Sequence, residues 1–138
     1  MKKYVRRTGL ACIILMAVTF GIPVNAMAVG MESMAVGTAV LSFYRDSSSV
    51  GKGSVSVIST GTPEYLKATA TLQYAEKNSN TYKNSSQAKV TKTVYNTRSL
   101  KKYFSFSIST GKKYRIKTVI SDKINGVVST KTYYKNMT

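Results

Sequence analysis

The chain has 138 residues, with 21 lysines and arginines against five aspartates and glutamates, no histidine and one cysteine. This length fits one small domain, and the composition excludes histidine-based catalysis and a disulfide framework. The net charge of +16 favours anionic partners, because a strongly positive protein attracts polyanions.

The first 26 residues are typical of a secretory signal peptide. An apolar run at 10–22 follows a positively charged start formed by Lys2, Lys3, Arg6 and Arg7. Small side chains at alternate positions predict cleavage after Ala26 or Ala28. The run is short for a membrane anchor, and Cys12 lies inside it, where lipidation is not expected. We therefore expect a secreted, extracellular protein, released or held to the cell envelope noncovalently.

The remaining 112 residues carry 17 basic and five acidic side chains, a net charge of +12, and no cysteine. Residues 27–37 are small and weakly patterned, which predicts a flexible mature N-terminus before a domain at 38–138. A secreted domain without cysteine depends on packing alone, and this composition is typical of Gram-positive bacteria.

Alternating apolar and polar residues predict three strands in the first half of the domain. They cover Val36–Arg45, 54–59 and 64–77, and a loop is expected at 46–53, where serines and glycines cluster. A helix is the rival at 64–77, since Ala, Leu, Glu and Lys favour helices, but the alternation there favours a strand.

The second half continues the pattern with short strands and turns. Turns are predicted at 78–81 and 84–86, a strand at 87–95, and a loop at 96–101. Lys92 interrupts the apolar side of the strand at 87–95, which indicates an edge strand protected by charge. Two strands joined by a tight connection follow at 104–120, then a turn at 122–126 with Asn-Gly at its end, and a closing strand at 127–134.

The connection inside 104–120 has a recognisable spacing. Ile108, Gly111, Tyr114 and Ile116 place an aliphatic, a glycine, a tyrosine and an aliphatic residue at offsets 0, 3, 6 and 8. This resembles the E-to-F corner of fibronectin type III and related immunoglobulin-like domains. The resemblance implies that Gly111 and Tyr114 form a structural tyrosine corner, in which the phenol bonds to backbone upstream. An ordinary hairpin with a core tyrosine is the alternative.

The predicted fold is therefore an all-β, antiparallel, immunoglobulin-like sandwich of about seven strands. The chain also resembles an uncharacterised family of small secreted Gram-positive proteins, and three segments carry this likeness: 72–74, 113–116 and 125–129. That resemblance implies secretion and an immunoglobulin-like shape, and no activity.

Catalytic chemistry is poorly supplied. The five carboxylates are Glu32, Asp46, Glu64, Glu76 and Asp122, and none belongs to a catalytic or metal-binding motif. We predict no enzyme activity, no catalytic residue, no metal and no cofactor. A small hydrolase is the remaining alternative, either with two of these carboxylates meeting in a cleft as a glycosidase dyad or with a Ser-Lys arrangement, for which the abundance of both residues is no evidence.

Positive charge is the one strong chemical signal. The predicted polyanion-binding residues flank or occupy the last strands: Lys101, Lys102, Lys112, Lys113, Arg115, Lys117, Lys131 and Lys135. Arg115 and Lys117 share one face by alternation, and Lys131 joins them if the last three strands are neighbours. The expected partners are anionic cell-wall polymers or acidic glycans, with no specific nucleic acid. A solvated surface without a ligand and a bacteriocin-like or toxin-like effector acting on membranes are the alternatives.

Overall fold

The computed structural model describes residues 36–138, apart from the side chain of Gln87. The predicted signal peptide at 1–26, its two cleavage positions, and residues 27–35 of the predicted flexible segment lie outside these residues. The first strand begins at Val36, two residues before the predicted start of the domain.

Seven strands and no helix occupy the described residues. The strands are β1 (Val36–Arg45), β2 (Val50–Ser59), β3 (Tyr65–Glu76), β4 (Lys83–Tyr95), β5 (Ser99–Ser107), β6 (Lys112–Ile124) and β7 (Val127–Asn136). This confirms the predicted all-β class. It also excludes the rival helix at 64–77, because β3 runs through that segment.

The strands form two antiparallel sheets. A three-stranded sheet has the order β1-β2-β5, and a four-stranded sheet has the order β4-β3-β6-β7. Buried side chains from both sheets belong to a single hydrophobic cluster, so the fold is sandwich-like. Strand β4 is an edge strand, as Lys92 predicted, and the Lys92 Nζ donates a hydrogen bond to the Lys101 carbonyl of β5 at 3.0 Å.

The core follows the alternation of the sequence. In β3, the side chains of Leu66, Ala68, Ala70 and Leu72 are all buried on one face. Its neighbour in the same sheet, β6, buries its alternate positions from Tyr114 to Asp122 in the same way. Because adjacent residues of a strand point to opposite faces, each of these strands keeps its other face for solvent.

Strand β2 begins at Val50, four residues earlier than predicted, so the expected loop at 46–53 is shorter. Gly51 and Gly53 lie on the core face, where the rings of neighbouring phenylalanines occupy the space that a side chain would need. Gly53 lies directly between Phe43 of β1 and Phe104 of β5, whose ring centroids are 6.3 Å apart. Glycine therefore marks close packing inside a strand here, and not a loop.

Three further predicted turns or loops are partly strand. Residues 84–86 belong to β4, since Asn84 resumes pairing with Gln73 after an irregularity in the ladder. Residues 99–101 belong to β5, which pairs with β2 from Ser99 onward. Residues 122–124 continue β6, with Asp122 and Lys123 opposite β3 and Ile124 opposite β7. The hairpin turn is therefore confined to Asn125 and Gly126, both with positive φ.

Candidate functional site

The outer face of the four-stranded sheet carries a row of cations from β6. Lys113, Arg115 and Lys117 alternate with the buried residues Tyr114, Ile116 and Thr118, so all three point away from the core. Alternate residues of a strand are about 6.5–6.8 Å apart, which sets the spacing of these charges. The predicted pairing of Arg115 with Lys117 on one face agrees with this arrangement.

The other predicted cations lie elsewhere. Lys101 and Lys102 belong to β5 of the other sheet. On β7, Lys131 lies opposite Ile120 and Lys135 lies opposite Ile116, so both share the face of buried β6 residues and not that of Arg115. Lys131 therefore does not join Arg115 and Lys117. The last three strands are not all neighbours, since β5 belongs to the other sheet, and the register of β6 and β7 places Lys131 on the other face.

Lys112 is also outside the row. Its alternation places it on the same face as Tyr114, and its Nζ lies 3.8 Å from the Glu76 carboxylate and 4.6 Å from the centre of the Tyr74 ring. This lysine, with Arg45 and Lys113, lines a cleft of about 450 Å³ beside Tyr114.

Two cations on the outer face were not predicted. Lys89 of β4 lies opposite Thr71, and Thr71 lies opposite Lys117, so the two lysines share a row about 10 Å apart. Lys67 of β3 lies four residues before Thr71 on the same face of the sheet. The alternation of Lys67 with Leu66 in the sequence indicated that Lys67 points away from the core. Placing it beside the β6 cations required knowing which strands are neighbours. We call Lys67, Lys89, Lys113, Arg115 and Lys117 the cationic face.

The carboxylates in the described part of the chain leave the cationic face unneutralised. Asp46 pairs with Lys52 at 2.8 Å, Glu64 pairs with Lys123 at 2.8 Å, and Glu76 lies near Lys112. The Lys123 ammonium lowers the pKa of the Glu64 carboxyl, and Glu64 in turn raises the pKa of Lys123. These opposite shifts are what a close ion pair produces, and none involves a residue of the cationic face.

The fourth described carboxylate, Asp122, lies in the core. It is fully buried on β6, and the Ser59 hydroxyl donates to its Oδ2 at 3.5 Å. Burial raises the pKa of Asp122, because a charged carboxylate loses its hydration there. The side chain of Asp122 points into the sandwich, on the opposite side of the sheet from the cationic face.

Arg115 is held by its neighbours more closely than the lysines are. Its guanidinium carbon lies 4.0 Å from the centre of the Tyr82 ring and 4.5 Å from that of Tyr134. Its Nε donates to the Gln73 Oε1 at 2.8 Å, and the Gln73 Nε2 donates to the Asn84 Oδ1 at 2.6 Å. These contacts explain why Gln73 is buried although it points to the outer face.

The residues of the predicted tyrosine corner meet in the connection between β5 and β6. The Ser109 backbone N–H donates to the Tyr114 hydroxyl at 2.8 Å, and the ring of Tyr114 is buried. Gly111 has a φ of +84°, which a glycine adopts without steric cost.

Among residues 36–138, no helix is long and apolar enough to cross a membrane. The same residues contain no group of three or more His, Cys, Asp or Glu side chains placed to hold a metal ion.

Two solved structures are similar to part of this chain. Spo0M, a sporulation control protein from Bacillus subtilis, is 10% identical, with a TM-score of 0.37 over 74% of this chain and 50% of that protein. A β-glucosidase from Kluyveromyces marxianus in complex with glucose is 12% identical, with a TM-score of 0.38 over 73% of this chain and 15% of that enzyme. The chain thus spans half or less of either protein, and likenesses this low carry no argument about function.

No family model matches the chain. No curated protein matches it either. The resemblance to small secreted Gram-positive proteins therefore stays a prediction.

Proposed function

We propose that this protein is a secreted, non-enzymatic, immunoglobulin-like domain that binds anionic cell-envelope polymers through the cationic face. The observation that carries the proposal is the set of five cations on one sheet face, none within ion-pair distance of a described carboxylate. Cations without a carboxylate partner keep their charge uncompensated for an external anion, and their attraction to a polyanion adds over several sites.

The strand order supports the immunoglobulin-like part of the proposal. If β3, β6 and β7 are taken as strands C, F and G of that fold, β4 occupies the position of C′, and β1, β2 and β5 correspond to A, B and E. Tyr114 then lies near the start of strand F, where immunoglobulin-like domains place the corner tyrosine. Its bond to Ser109 lies a few residues upstream, as that motif requires.

The state of the carboxylates supports a non-enzymatic role. Three of the four described acids are near lysines at the surface, and Asp122 is buried in the core without access to a substrate. Glycoside hydrolysis by a carboxylate dyad needs two carboxyl groups facing a common cleft. The large cleft beside Tyr114 is lined by Arg45, Lys112 and Lys113 instead.

Retention on washed Gram-positive cell wall tests the proposal. We expect the purified protein to bind at low salt and to elute as salt rises, because exposed charges are screened over about 8–10 Å near physiological ionic strength. The triple variant Lys67→Gln, Lys89→Gln, Lys117→Gln should elute at clearly lower salt than the unaltered protein.

A matched variant separates the cationic face from net charge. The triple variant Lys101→Gln, Lys131→Gln, Lys135→Gln removes the same number of charges, but from positions outside that face. Equal losses by the two triple variants would contradict the proposal, since net charge alone would then account for binding. Dye release from anionic vesicles without cell-wall retention would favour the membrane effector.

A further inference from the structure

We infer that the cationic face takes a linear polyol-phosphate polymer, in which Arg115 holds one phosphodiester group and lysines contact its neighbours. The inference rests on the proposed function and deepens it, because it names the chemistry of the polymer and one residue that recognises it. Four observations carry it: the fixed guanidinium, its free edge, the spacing of the charges, and the side chains between them.

Arg115 is fixed before any ligand arrives. Two tyrosine rings lie at 4.0 and 4.5 Å from its guanidinium carbon, and Gln73 accepts from its Nε. Gln73 is itself held by Asn84. A side chain that is already ordered loses less conformational entropy when it binds, so this arginine is preorganised for recognition.

The edge of the guanidinium that remains is the end-on edge. Nε is occupied by Gln73, whereas neither Nη has a hydrogen-bond partner within residues 36–138. Neither Nη atom is among the buried unsatisfied atoms of that part of the chain, so both reach solvent. Two parallel N–H groups on one edge match two oxygens of one phosphate or carboxylate, which a lysine ammonium cannot reproduce.

The spacing of the charges favours a phosphodiester chain with a short spacer. Lys113, Arg115 and Lys117 are alternate residues, so six backbone bonds separate each Cα from the next, about 6.5–6.8 Å in a strand. Phosphates joined by a three-carbon polyol are also six backbone bonds apart, and an extended chain of that length covers about 7 Å. Successive phosphates of such a polymer can therefore meet successive cations of β6.

The side chains beside the cations favour a polyol over nucleobases. Apart from Val119, the residues in the rows of the sheet next to Lys67 and Lys117 carry hydroxyl groups: Thr69, Thr71, Thr91, Thr93, Ser121, Thr130 and Thr132. Hydroxyl groups donate to and accept from the hydroxyls of a polyol. Single-stranded nucleic acid needs exposed aromatic rings on which bases stack, and the two rings nearest the row are already in contact with Arg115.

Binding of three labelled oligomers of equal charge tests the inference. The probes are oligo(glycerol phosphate), an oligosaccharide of hyaluronate and oligothymidylate, measured at one low salt concentration. We expect oligo(glycerol phosphate) to bind the unaltered protein about tenfold more tightly than the hyaluronate oligosaccharide, since several charges align and Arg115 adds a paired contact. Oligothymidylate should also bind more weakly, because the two aromatic rings nearest the β6 cations are packed against Arg115.

Charge-preserving variants test the role of Arg115. Arg115→Lys should weaken oligo(glycerol phosphate) binding about tenfold, whereas Lys101→Arg, on β5 outside the cationic face, should change it by no more than about twofold. Tyr82→Leu and Tyr134→Leu each keep Arg115 but remove a ring that packs against its guanidinium, so the side chain is less ordered. Both variants should also bind oligo(glycerol phosphate) more weakly. Thermal unfolding of each variant shows whether it is folded. If Arg115→Lys does not fold, the two tyrosine variants test the role of Arg115 in its place.

The outcomes separate this inference from the proposed function. Equal affinity for all three oligomers, or unchanged binding by Arg115→Lys, would overturn the polyol-phosphate inference and leave a general polyanion-binding face. Tighter binding of oligothymidylate would overturn it in favour of nucleic acid. Absence of binding to every oligomer and to cell wall would overturn both.

Discussion

The Tyr114 hydroxyl accepts a hydrogen bond from the Ser109 backbone N–H at 2.8 Å and lies 2.9 Å from the Ser109 hydroxyl. The two residues are five positions apart and lie on either side of the turn between β5 and β6. Since β5 and β6 belong to different sheets, this contact fixes the path of the chain as it crosses from one sheet to the other. The Tyr114 side chain is only 8% exposed, so its hydrogen bond links the connection between the sheets to the hydrophobic core.

Tyr114→Phe tests the energetic weight of this contact. The ring and its packing remain, so the variant loses only the hydroxyl and its bonds to Ser109. We expect the free energy of unfolding to fall by about 1 kcal/mol, the usual net value of one hydrogen bond. Urea denaturation followed by circular dichroism measures it.

Tyr103→Phe is the matched control. Its ring is 67% exposed, and its hydroxyl makes no hydrogen bond to a residue of the described chain. This variant should unfold at the same urea concentration as the unaltered protein. If Tyr114→Phe does the same, the corner contact contributes nothing to stability.

Gly53→Ala should destabilise the three-stranded sheet. A Cβ at this position would overlap the Ser42 carbonyl oxygen and lie 2.6 Å from the Phe104 ring, so backbone and ring would both have to move. Overpacking of a core usually costs about 1–3 kcal/mol, and we expect a loss in that range. Thermal unfolding measures the loss as a drop in melting temperature.

Gly61→Ala provides the comparison for Gly53→Ala. The nearest atom to its added Cβ would be the Ile124 Cδ1 at 3.5 Å, an ordinary van der Waals contact. We expect its melting temperature to stay close to that of the unaltered protein. A similar loss in both variants would mean that the close packing around Gly53 is not the cause.

Alternation in the sequence was sufficient to predict the strands and their buried faces. The run from Leu66 to Leu72 is buried at the alternate positions that the pattern indicates. It was insufficient where a strand residue resembles a turn residue, as at Gly53 and Asn84. In both places a residue on the neighbouring strand makes the strand conformation favourable. A phenylalanine ring packs over Gly53, and the side-chain amide of Gln73 donates a hydrogen bond to Asn84.

The cationic face was only partly predictable for a different reason. Period-two alternation reveals that Arg115 and Lys117 share a face, because both are on one strand. Whether Lys89 or Lys131 joins them depends on strand order and register, which arise from long-range pairing. Lys89 lies in the row of Lys117, whereas Lys131 lies opposite Ile120, and neither relation is present within a single segment.

Gly126→Ala tests the turn between β6 and β7. Asn125 and Gly126 have φ values of +52° and +79°, which only glycine, and to a lesser degree asparagine, adopts readily. Alanine at 126 should lower the free energy of unfolding by about 1 kcal/mol, because its Cβ strains this conformation. Gly126→Asn should lose less, and an equal loss in both variants would contradict the conformational explanation.

The buried Asp122 should make stability fall as pH rises. At pH below its ordinary pKa of 3.8, the carboxyl is neutral in both the folded and the unfolded chain. Above that pH the unfolded chain ionises first, because burial raises the pKa of the folded state. Its contribution to the free energy of unfolding therefore declines from pH 3.8 upward until the raised pKa is passed, and is constant thereafter.

Asp122→Asn isolates this effect, since an amide of the same shape does not ionise. The stability of the variant relative to the unaltered protein should increase between pH 3 and neutral pH, as measured by urea unfolding across that range.

Glu64→Gln provides an opposite control: bonds from Lys123 and the Gly126 N–H lower the pKa of Glu64, so the stability it contributes is lost as pH falls. The Glu64 variant should therefore lose stability relative to the unaltered protein at neutral pH and approach it at low pH. A difference between Asp122→Asn and the unaltered protein that stays constant with pH would show that Asp122 titrates in the folded chain as it does in the unfolded one.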